Sequence, residues 1–222
     1  LGPHINAPRD QIPWLARAKP RVAKVLLDSL DPSWLRAAHD TSPFTFWVGR
    51  FVDNRSADDL VARAAPYRGL IDALEGRNEV AVKTHAEMAA FAVEEAQRAD
   101  VLHRAGWKAV VGNFATGNPE LYLWPSFRDA LTAGDYLGLH EYSPSLPRRV
   151  GDDLWHQLRY WQVYNAMPDL RLPLIITECG VDDGCGGGWK AQPGASAQMY
   201  LDYLRWYDAA LAADARRVPI VG

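Results

Sequence analysis

Short apolar runs recur along the whole chain, and each run is closed by polar residues or by Gly and Pro. Runs of this length that are rich in Val, Ile and Leu are typical of buried β-strands. The pattern predicts eight strands, over residues 2–6, 22–27, 44–52, 71–74, 108–113, 136–140, 174–177 and 218–221.

Amphipathic stretches fill the intervals between these runs. Apolar residues recur in them every three or four positions, which predicts helices over residues 11–18, 31–38, 57–67, 86–105, 125–133, 152–166 and 196–213. Strands that alternate with helices indicate a parallel sheet with crossover helices, and eight such units predict a closed (β/α)8 TIM barrel of the α/β class.

The length of the chain fits this architecture. With 222 residues and 48% hydrophobic content, residues 1–222 can form a single domain around one sizeable core. The eighth predicted strand reaches the end of the sequence with no helix after it. We therefore expect the barrel to end within strand 8 here and to be incomplete at its C-terminal side.

Charge and hydropathy exclude two classes of partner. The net charge is -3 and no basic run is present, so no nucleic-acid partner is expected. The apolar runs are too short to span a bilayer, so no membrane partner is expected either. The oligomeric state is not indicated by the sequence.

Two glutamates stand where a predicted strand gives way to a polar loop. Glu79 follows the fourth strand, in the segment Glu-Gly-Arg-Asn-Glu, and Glu178 follows the seventh, in Ile-Ile-Thr-Glu-Cys-Gly. The carboxyl ends of the strands meet at one face of a barrel, which is where such barrels hold their active sites. A retaining glycosidase needs two carboxyl groups roughly 5 Å apart, one as acid and one as nucleophile.

The pair Asn78-Glu79 after strand four, with Glu178 after strand seven, resembles the large clan A of retaining (β/α)8 glycoside hydrolases. This clan includes cellulases, mannanases, β-xylosidases and many β-glucosidases. The resemblance implies that Asn78 binds the sugar 2-hydroxyl, that Glu79 is the acid/base and that Glu178 is the nucleophile. His140 and Tyr142 match the sixth-strand segment where the clan often places a Tyr that hydrogen-bonds the nucleophile.

The same resemblance implies a nearby arginine, for which Arg50 is the best candidate. Many members carry Pro after Asn-Glu, whereas Val80 stands there in this chain. For the mechanism, Glu79 needs a raised pKa to hold its proton and Glu178 must stay ionised, and two neighbouring carboxyl groups separate their pKa values in this way.

Other residues are candidates for binding the sugar. Aromatic faces stack on pyranose rings, and Trp124 after strand five and Trp189 after strand seven are placed to do so. Asp28, just past strand two, either binds a sugar hydroxyl or caps the next turn. Glu75 and Glu141 lie in the same region as the catalytic candidates, and either could point to the rim or pair with Arg.

Other chemistries lack their motifs. The six His are dispersed without an HExxH pattern, the Gly-rich segment 184–188 has no GK[ST], and no GxSxG occurs. No metal or cofactor is therefore expected. The prediction is a retaining hydrolase of β-glycosidic bonds in an oligo- or polysaccharide. The alternatives are a non-catalytic carbohydrate-binding barrel and a barrel enzyme of unrelated chemistry.

Two cysteines bracket the start of the loop after strand seven. In a secreted protein Cys179 and Cys185 would form a disulfide that pins this loop, whereas inside the cell they would stay reduced. The other possibility is a buried free Cys179 with an unrelated, exposed Cys185. Between the two compartments we favour secretion.

Overall fold

Seven parallel strands form one sheet in the computed structural model, which describes residues 1–53, 56–146, 154–182 and 187–214. The strands are hydrogen-bonded in chain order, from β1 to β7. Their bounds are β1 His4–Ile5, β2 Val22–Leu26, β3 Phe46–Arg50, β4 Ala73–Glu75, β5 Lys108–Phe114, β6 Tyr136–Ser143 and β7 Leu174–Val181. The sheet curls into a nearly closed barrel, which confirms the α/β TIM-barrel fold class. The predicted strand 218–221 lies outside the described residues.

A helix follows each of the seven strands. The helices are α1 Ile12–Ala18, α2 Pro32–Thr41, α3 Ala57–Ala64, α4 His85–Arg104, α5 Arg128–Ala133, α6 Tyr160–Ala166 and α7 Ala197–Asp214. Short 3-10 turns at Leu27–Ser29, Ala65–Tyr67, Leu121–Phe127 and Gly188–Ala191 complete the connections. No helix in these described ranges is both long and apolar enough to cross a bilayer.

Local sequence signals start several helices. Thr84 and Glu87 form a capping box at the beginning of α4, in which each side chain binds the other residue's backbone N–H. Asp31 and Ser56 cap α2 and α3 through single side-chain hydrogen bonds. In contrast, α6 begins later than the predicted helix 152–166, because residues 154–159 are not α-helical.

Apolar side chains fill both sides of the strands. Two large clusters lie between the sheet and the helices, and a small cluster lies inside the barrel. The interior cluster takes one residue from each of five strands: Val22, Val48, Ala73, Val110 and Ile175. Since side chains alternate along a strand, the residue two positions further on also faces the interior, one layer closer to the carboxyl end.

Candidate active site

The layer above this apolar floor is charged. Lys24, Arg50 and Glu75 stand two residues after Val22, Val48 and Ala73 on β2, β3 and β4. Lys24 and Glu75 are only 3% and 0% exposed. Lys24 Nζ lies 2.8 Å from Glu75 Oε2, and Arg50 Nε lies 3.9 Å from the same oxygen. Of the two positions predicted for Glu75, at the rim or paired with Arg, the structure shows the second, with Arg50. The sequence analysis did not single out Lys24, although a charged residue inside the apolar run 22–27 is a signal for it.

Glu178 reaches this layer through an irregularity in β7. Leu139 pairs with Ile176 but His140 pairs with Glu178, so Thr177 is an extra residue between the two pairs. A bulge of this kind turns the following side chain to the other face of the strand. Glu178 therefore points into the barrel mouth together with Lys24.

Glu178 is contacted by residues on four other strands, two of which donate hydrogen bonds to it. Its Oε1 lies 2.7 Å from Lys24 Nζ and 3.3 Å from an Arg50 guanidinium nitrogen. The Tyr142 hydroxyl donates to Oε2 at 3.1 Å, and His4 Nδ1 lies 4.0 Å from Oε1. The contact with Tyr142 is the one that the resemblance implies for this position.

These partners keep Glu178 ionised. Burial is the largest influence and would raise its pKa, but the charges of His140 and Lys24 and the hydrogen bond from Lys24 outweigh it, so the pKa of Glu178 lies well below its usual range. Burial and the charge of Glu178 raise the pKa of Tyr142, which remains a hydroxyl donor. Burial, together with Lys24, lowers the pKa of His4 to about 4.

Glu79 lies beyond the end of β4 in a tight loop. Its φ of +52° is in the left-handed region, and its backbone N–H donates to the carbonyl of Asn113 at 2.9 Å. Asn113 also has a positive φ, at the bulge in β5. This conformation costs on the order of 1 kcal/mol for a residue other than Gly. The loop leaves the Glu79 side chain 40% exposed, at the mouth of the barrel.

His140 joins the two glutamates. Its Nδ1 lies 2.8 Å from Glu79 Oε1 and its Nε2 lies 3.7 Å from Glu178 Oε1. A carboxylate oxygen of each glutamate and a ring nitrogen of His140 all fall within 4.8 Å of one another. The structure thus brings together two carboxyl groups that are 99 residues apart in the sequence.

The pKa of Glu79 differs from expectation. A raised pKa was expected for an acid catalyst, but the hydrogen bond from His140 lowers the pKa of Glu79. Partial burial would raise this pKa, and it does not fully offset the effect of His140. The reason is that the neighbour in hydrogen-bond contact is an imidazole donor rather than the second carboxylate. Without substrate, both glutamates therefore favour the ionised form.

Arg50 and Asn78 also reach the site. An Arg50 guanidinium nitrogen donates to Oδ1 of Asn78, and the same group contacts Glu178. Arg50 thus links the loop before Glu79 to β7. Whether Asn78 binds a sugar hydroxyl stays a prediction.

Asp28 has a structural role in its loop. Its Oδ2 accepts from the backbone N–H of Val52 at 2.6 Å, and its Oδ1 accepts from Arg63. It therefore ties the loop after β2 to the loop after β3, a role that the sequence did not predict. Its contact with a sugar stays a prediction.

The two tryptophan candidates differ. Trp124 is 0% exposed and packs against Phe114 and Phe127. The expectation that it meets substrate is wrong, because its 3-10 turn directs it into the core. Trp189 is partly exposed and stacks on Tyr200 of α7 with ring centroids 5.1 Å apart. Its contact with a sugar stays a prediction.

The structure describes one of the two cysteines, Cys179. Cys179 has no disulfide partner among the described residues, and Cys185 lies outside them. Burial raises the pKa of the Cys179 thiol to about 12, so this group is poorly suited to act as a thiolate. The disulfide stays a prediction that thiol titration of the denatured, non-reduced protein can check.

The cluster of Glu79, His140 and Glu178 also has the donor types of a metal site. However, Lys24 and Arg50 already contact Glu178, and a divalent cation among these groups would meet two positive charges at close range. We interpret the cluster as an acid–base group rather than a metal centre.

Comparison with known proteins supports the fold. No family model and no curated protein matches the chain. Among solved structures, an endo-beta-1,3-glucanase of the GH128 group from Amycolatopsis mediterranei, in complex with laminaripentaose, matches with TM-score 0.56 and 14% identity over 96% of this chain and 83% of that one. A mannanase catalytic domain from Streptomyces sp. SirexAA-E matches with TM-score 0.52 and 15% identity, covering 94% and 71%.

Proteins of other activities share the fold to a similar degree. A protein from Sinorhizobium meliloti, provisionally assigned as an isomerase, matches with TM-score 0.52 and 11% identity over 99% of this chain. The chain spans 50% of that protein's length. At these identities the similarity establishes the α/β barrel, and the function has to be argued from the site.

Proposed function

We propose that the chain is a retaining glycoside hydrolase that cleaves β-glycosidic bonds. The observation that carries the proposal is that a carboxylate oxygen of Glu79 and one of Glu178 lie within 4.8 Å of each other. Retaining enzymes hold their two carboxyl groups about 5 Å apart, whereas inverting enzymes leave about 6.5–9.5 Å for a water molecule. The short separation favours direct attack by a carboxylate.

Glu178 has the properties of the nucleophile. It is largely but not fully buried, it is ionised, and it is held by Lys24, Arg50 and the Tyr142 hydroxyl. In the first step its carboxylate would attack the anomeric carbon, while the bond from that carbon to the leaving oxygen breaks. The resulting glycosyl–enzyme ester would neutralise the charge of Glu178.

Glu79 would act as acid and then as base. It is the more exposed of the two carboxyl groups, so a leaving group at the barrel mouth can reach it. A bound sugar would displace water from Glu79 and raise its pKa towards the protonated form that protonates the leaving oxygen. In the second step the ionised Glu79 would take a proton from the water that attacks the ester.

A second function is favoured by one observation. Since the pKa of Glu79 is lowered in the free protein, few molecules carry the acid proton at neutral pH. A barrel that binds carbohydrate without hydrolysing it would show the same feature.

Product stereochemistry tests the proposal. We would incubate the protein at pH 4–7 with aryl β-glycosides of different sugars and with polysaccharides. The polysaccharides should include β-1,3-glucan, because the glucanase of similar fold binds laminaripentaose. Proton NMR should show the β-anomer as the first product, with Glu178→Gln as the inactive control. An α-anomer as first product would contradict retention.

The same panel distinguishes the second function. Dinitrophenyl glycosides need no acid catalyst, so a hydrolase with a poorly protonated Glu79 would still cleave them. Saturable sugar binding without cleavage of any dinitrophenyl substrate would favour the non-catalytic barrel.

A further inference from the structure

Lys24 occupies an unusual position for a lysine. It is 3% exposed, lies inside the barrel on β2 and has its Nζ between two carboxylates, 2.8 Å from Glu75 and 2.7 Å from Glu178. A buried ammonium is unfavourable unless it is paired and hydrogen-bonded. The two carboxylates provide that pairing, and they come from β4 and β7.

Glu75 fixes the lysine from below. It is 0% exposed, and the cations within 4 Å of its carboxylate are Lys24 and Arg50 among the described residues. Neither carboxylate oxygen of Glu75 accepts a hydrogen bond in the described part of the chain, and these two cations supply its ion pairs there. The charge of Glu75 is therefore compensated chiefly by Lys24. This ion pair holds the Lys24 ammonium group at one place below Glu178.

Lys24 and Arg50 contact Glu178 in different ways. Arg50 also binds Asn78, so its position depends on the loop that carries Glu79. Lys24 has no such link in the described residues, since its polar partners are Glu75 and Glu178 on two strands. Its geometry is therefore set by the sheet and is independent of the loop at the mouth.

We propose that Lys24, anchored by Glu75, is a positioning residue that holds the Glu178 carboxylate in place and keeps it ionised throughout the pH range of activity. The meaning of this role for catalysis rests on the proposed function. The titratable and charged groups that face Glu178 or Lys24 from the packed strands and loops are His4, Lys24, Arg50, Glu75, Glu79, His140, Tyr142 and Cys179.

The test measures Glu178 directly and needs no substrate. Protein labelled with ¹³C at the glutamate carboxyl groups is titrated by NMR, and the Glu178 signal is assigned by its loss in Glu178→Gln. We expect Glu178 in the unaltered protein to stay ionised at the lowest pH at which the fold persists. In Lys24→Met its midpoint should rise by about one pH unit or more.

A second variant separates this role from a purely structural one. Lys24→Met leaves Glu75 buried with its main counter-ion removed and can unfold the protein. The double variant Lys24→Met with Glu75→Gln removes both charges, so it should recover stability while Glu178 still titrates at a higher pH. Glu75→Gln alone should not raise the Glu178 midpoint, because it removes a neighbouring negative charge.

Lys108→Met is the matched control. Lys108 is also a barrel-strand lysine, but it begins β5 at the opposite end of the barrel. We expect no change in the Glu178 titration in this variant. A Glu178 midpoint in the folded double variant equal to that of the unaltered protein would overturn the inference.

Kinetics then connect the inference to the proposed function. If the protein cleaves aryl β-glycosides, the acidic limb of kcat/KM should move to higher pH in the double variant, because Glu178 must be ionised to attack. If no glycoside is cleaved but the Glu178 midpoint still rises, the proposed function fails while the charge-holding role of Lys24 stands. If glycosides are cleaved but the Glu178 midpoint does not move, the proposed function stands and the role of Lys24 fails.

Discussion

Two glutamates on neighbouring strands of this barrel have pKa values that are shifted in opposite directions. Glu141 on β6 pairs in register with Cys179, so it lies one residue away from Glu178 on β7. Glu178 faces the barrel mouth, and its pKa lies far below the usual range. Glu141 faces the helices, where it is fully buried and burial raises its pKa to about 7.

The partners explain the difference. Glu141 accepts from the backbone N–H groups of Leu158 and Tyr160, at 2.6 and 3.1 Å, and from the Tyr207 hydroxyl. These donors are neutral, and they do not offset the cost of burying a charge. Glu178 is less buried and is contacted by two cations. The comparison teaches that hydrogen-bond number alone does not keep a buried carboxylate ionised; the charge of the donor decides.

The expected roles of Glu141 are corrected by this contrast. It neither points to the rim nor forms an ion pair with Arg within 4 Å among the described residues. It instead joins β6 to the start of α6 and to α7. The effects expected from changing it are therefore on stability, whereas those expected from changing Glu178 are on chemistry.

The largest effect is expected from Glu178→Ala. Loss of the nucleophile should lower kcat by roughly 10⁴-fold or more, as for other covalent catalysts. Added azide should restore turnover and give an α-glycosyl azide, because azide then attacks directly in place of the carboxylate. Initial rates and NMR of the product check this. A β-azide would reverse the assignment of the two glutamates.

Glu79→Ala should have the next largest effect. Loss of the general acid should cost about 10²- to 10⁴-fold for substrates with poor leaving groups, and much less for dinitrophenyl glycosides. Azide should attack the glycosyl–enzyme and give a β-glycosyl azide. An equal loss for good and poor leaving groups would contradict the role of Glu79 as acid.

Glu141→Gln should change stability rather than chemistry. The folded-state pKa of about 7 lies above the ordinary value of 4.5, so protonated Glu141 favours folding. This contribution is complete below pH about 4.5 and is lost as pH rises through about 7, and it amounts to roughly 3 kcal/mol. Urea unfolding between pH 4 and 8 should therefore show a flatter pH dependence in the variant.

The matched control for this prediction is Glu178→Gln. The pKa of Glu178 is lowered on folding, so its contribution is present above the unfolded pKa and is lost as pH falls. Its effect on the unfolding free energy should therefore appear on the acid side. Buried Glu95, whose pKa burial also raises to about 7, remains in both variants and cancels in the comparison. Identical pH profiles for the two variants would contradict the contrast drawn above.

The smallest effect is expected from His140→Gln. Its Nδ1 lowers the pKa of Glu79, so its removal should raise that pKa and move the basic limb of kcat/KM to higher pH. His140→Asn, which retains an amide near the Nδ1 position, should move the limb less. The pH profile is best measured with a substrate that has a poor leaving group, since cleavage of substrates with good leaving groups does not depend on the general acid. A limb that moves to lower pH would contradict the prediction.

The fold was largely predictable because its signals are local. Short apolar runs located the first seven strands, and the α/β barrel class follows from their alternation with helices. Helix starts such as Thr84 with Glu87 could also be read from residues close in sequence. Trp124 shows the limit of this reasoning: its position after strand five was correct, but burial depends on what packs around it.

The sequence by itself determined the order of strands and helices and placed Glu79 just beyond β4. It ended the seventh strand at residue 177, whereas Glu178 lies within β7. Tertiary structure decided which way each carboxylate faces and what charge lies beside it. The bulge at Thr177 turns Glu178 inward, and the partner that holds it, Lys24, is 154 residues away along the chain. Side-chain alternation is a property of a few neighbouring residues, whereas the field at a carboxylate is the sum over groups that only the closed barrel brings together.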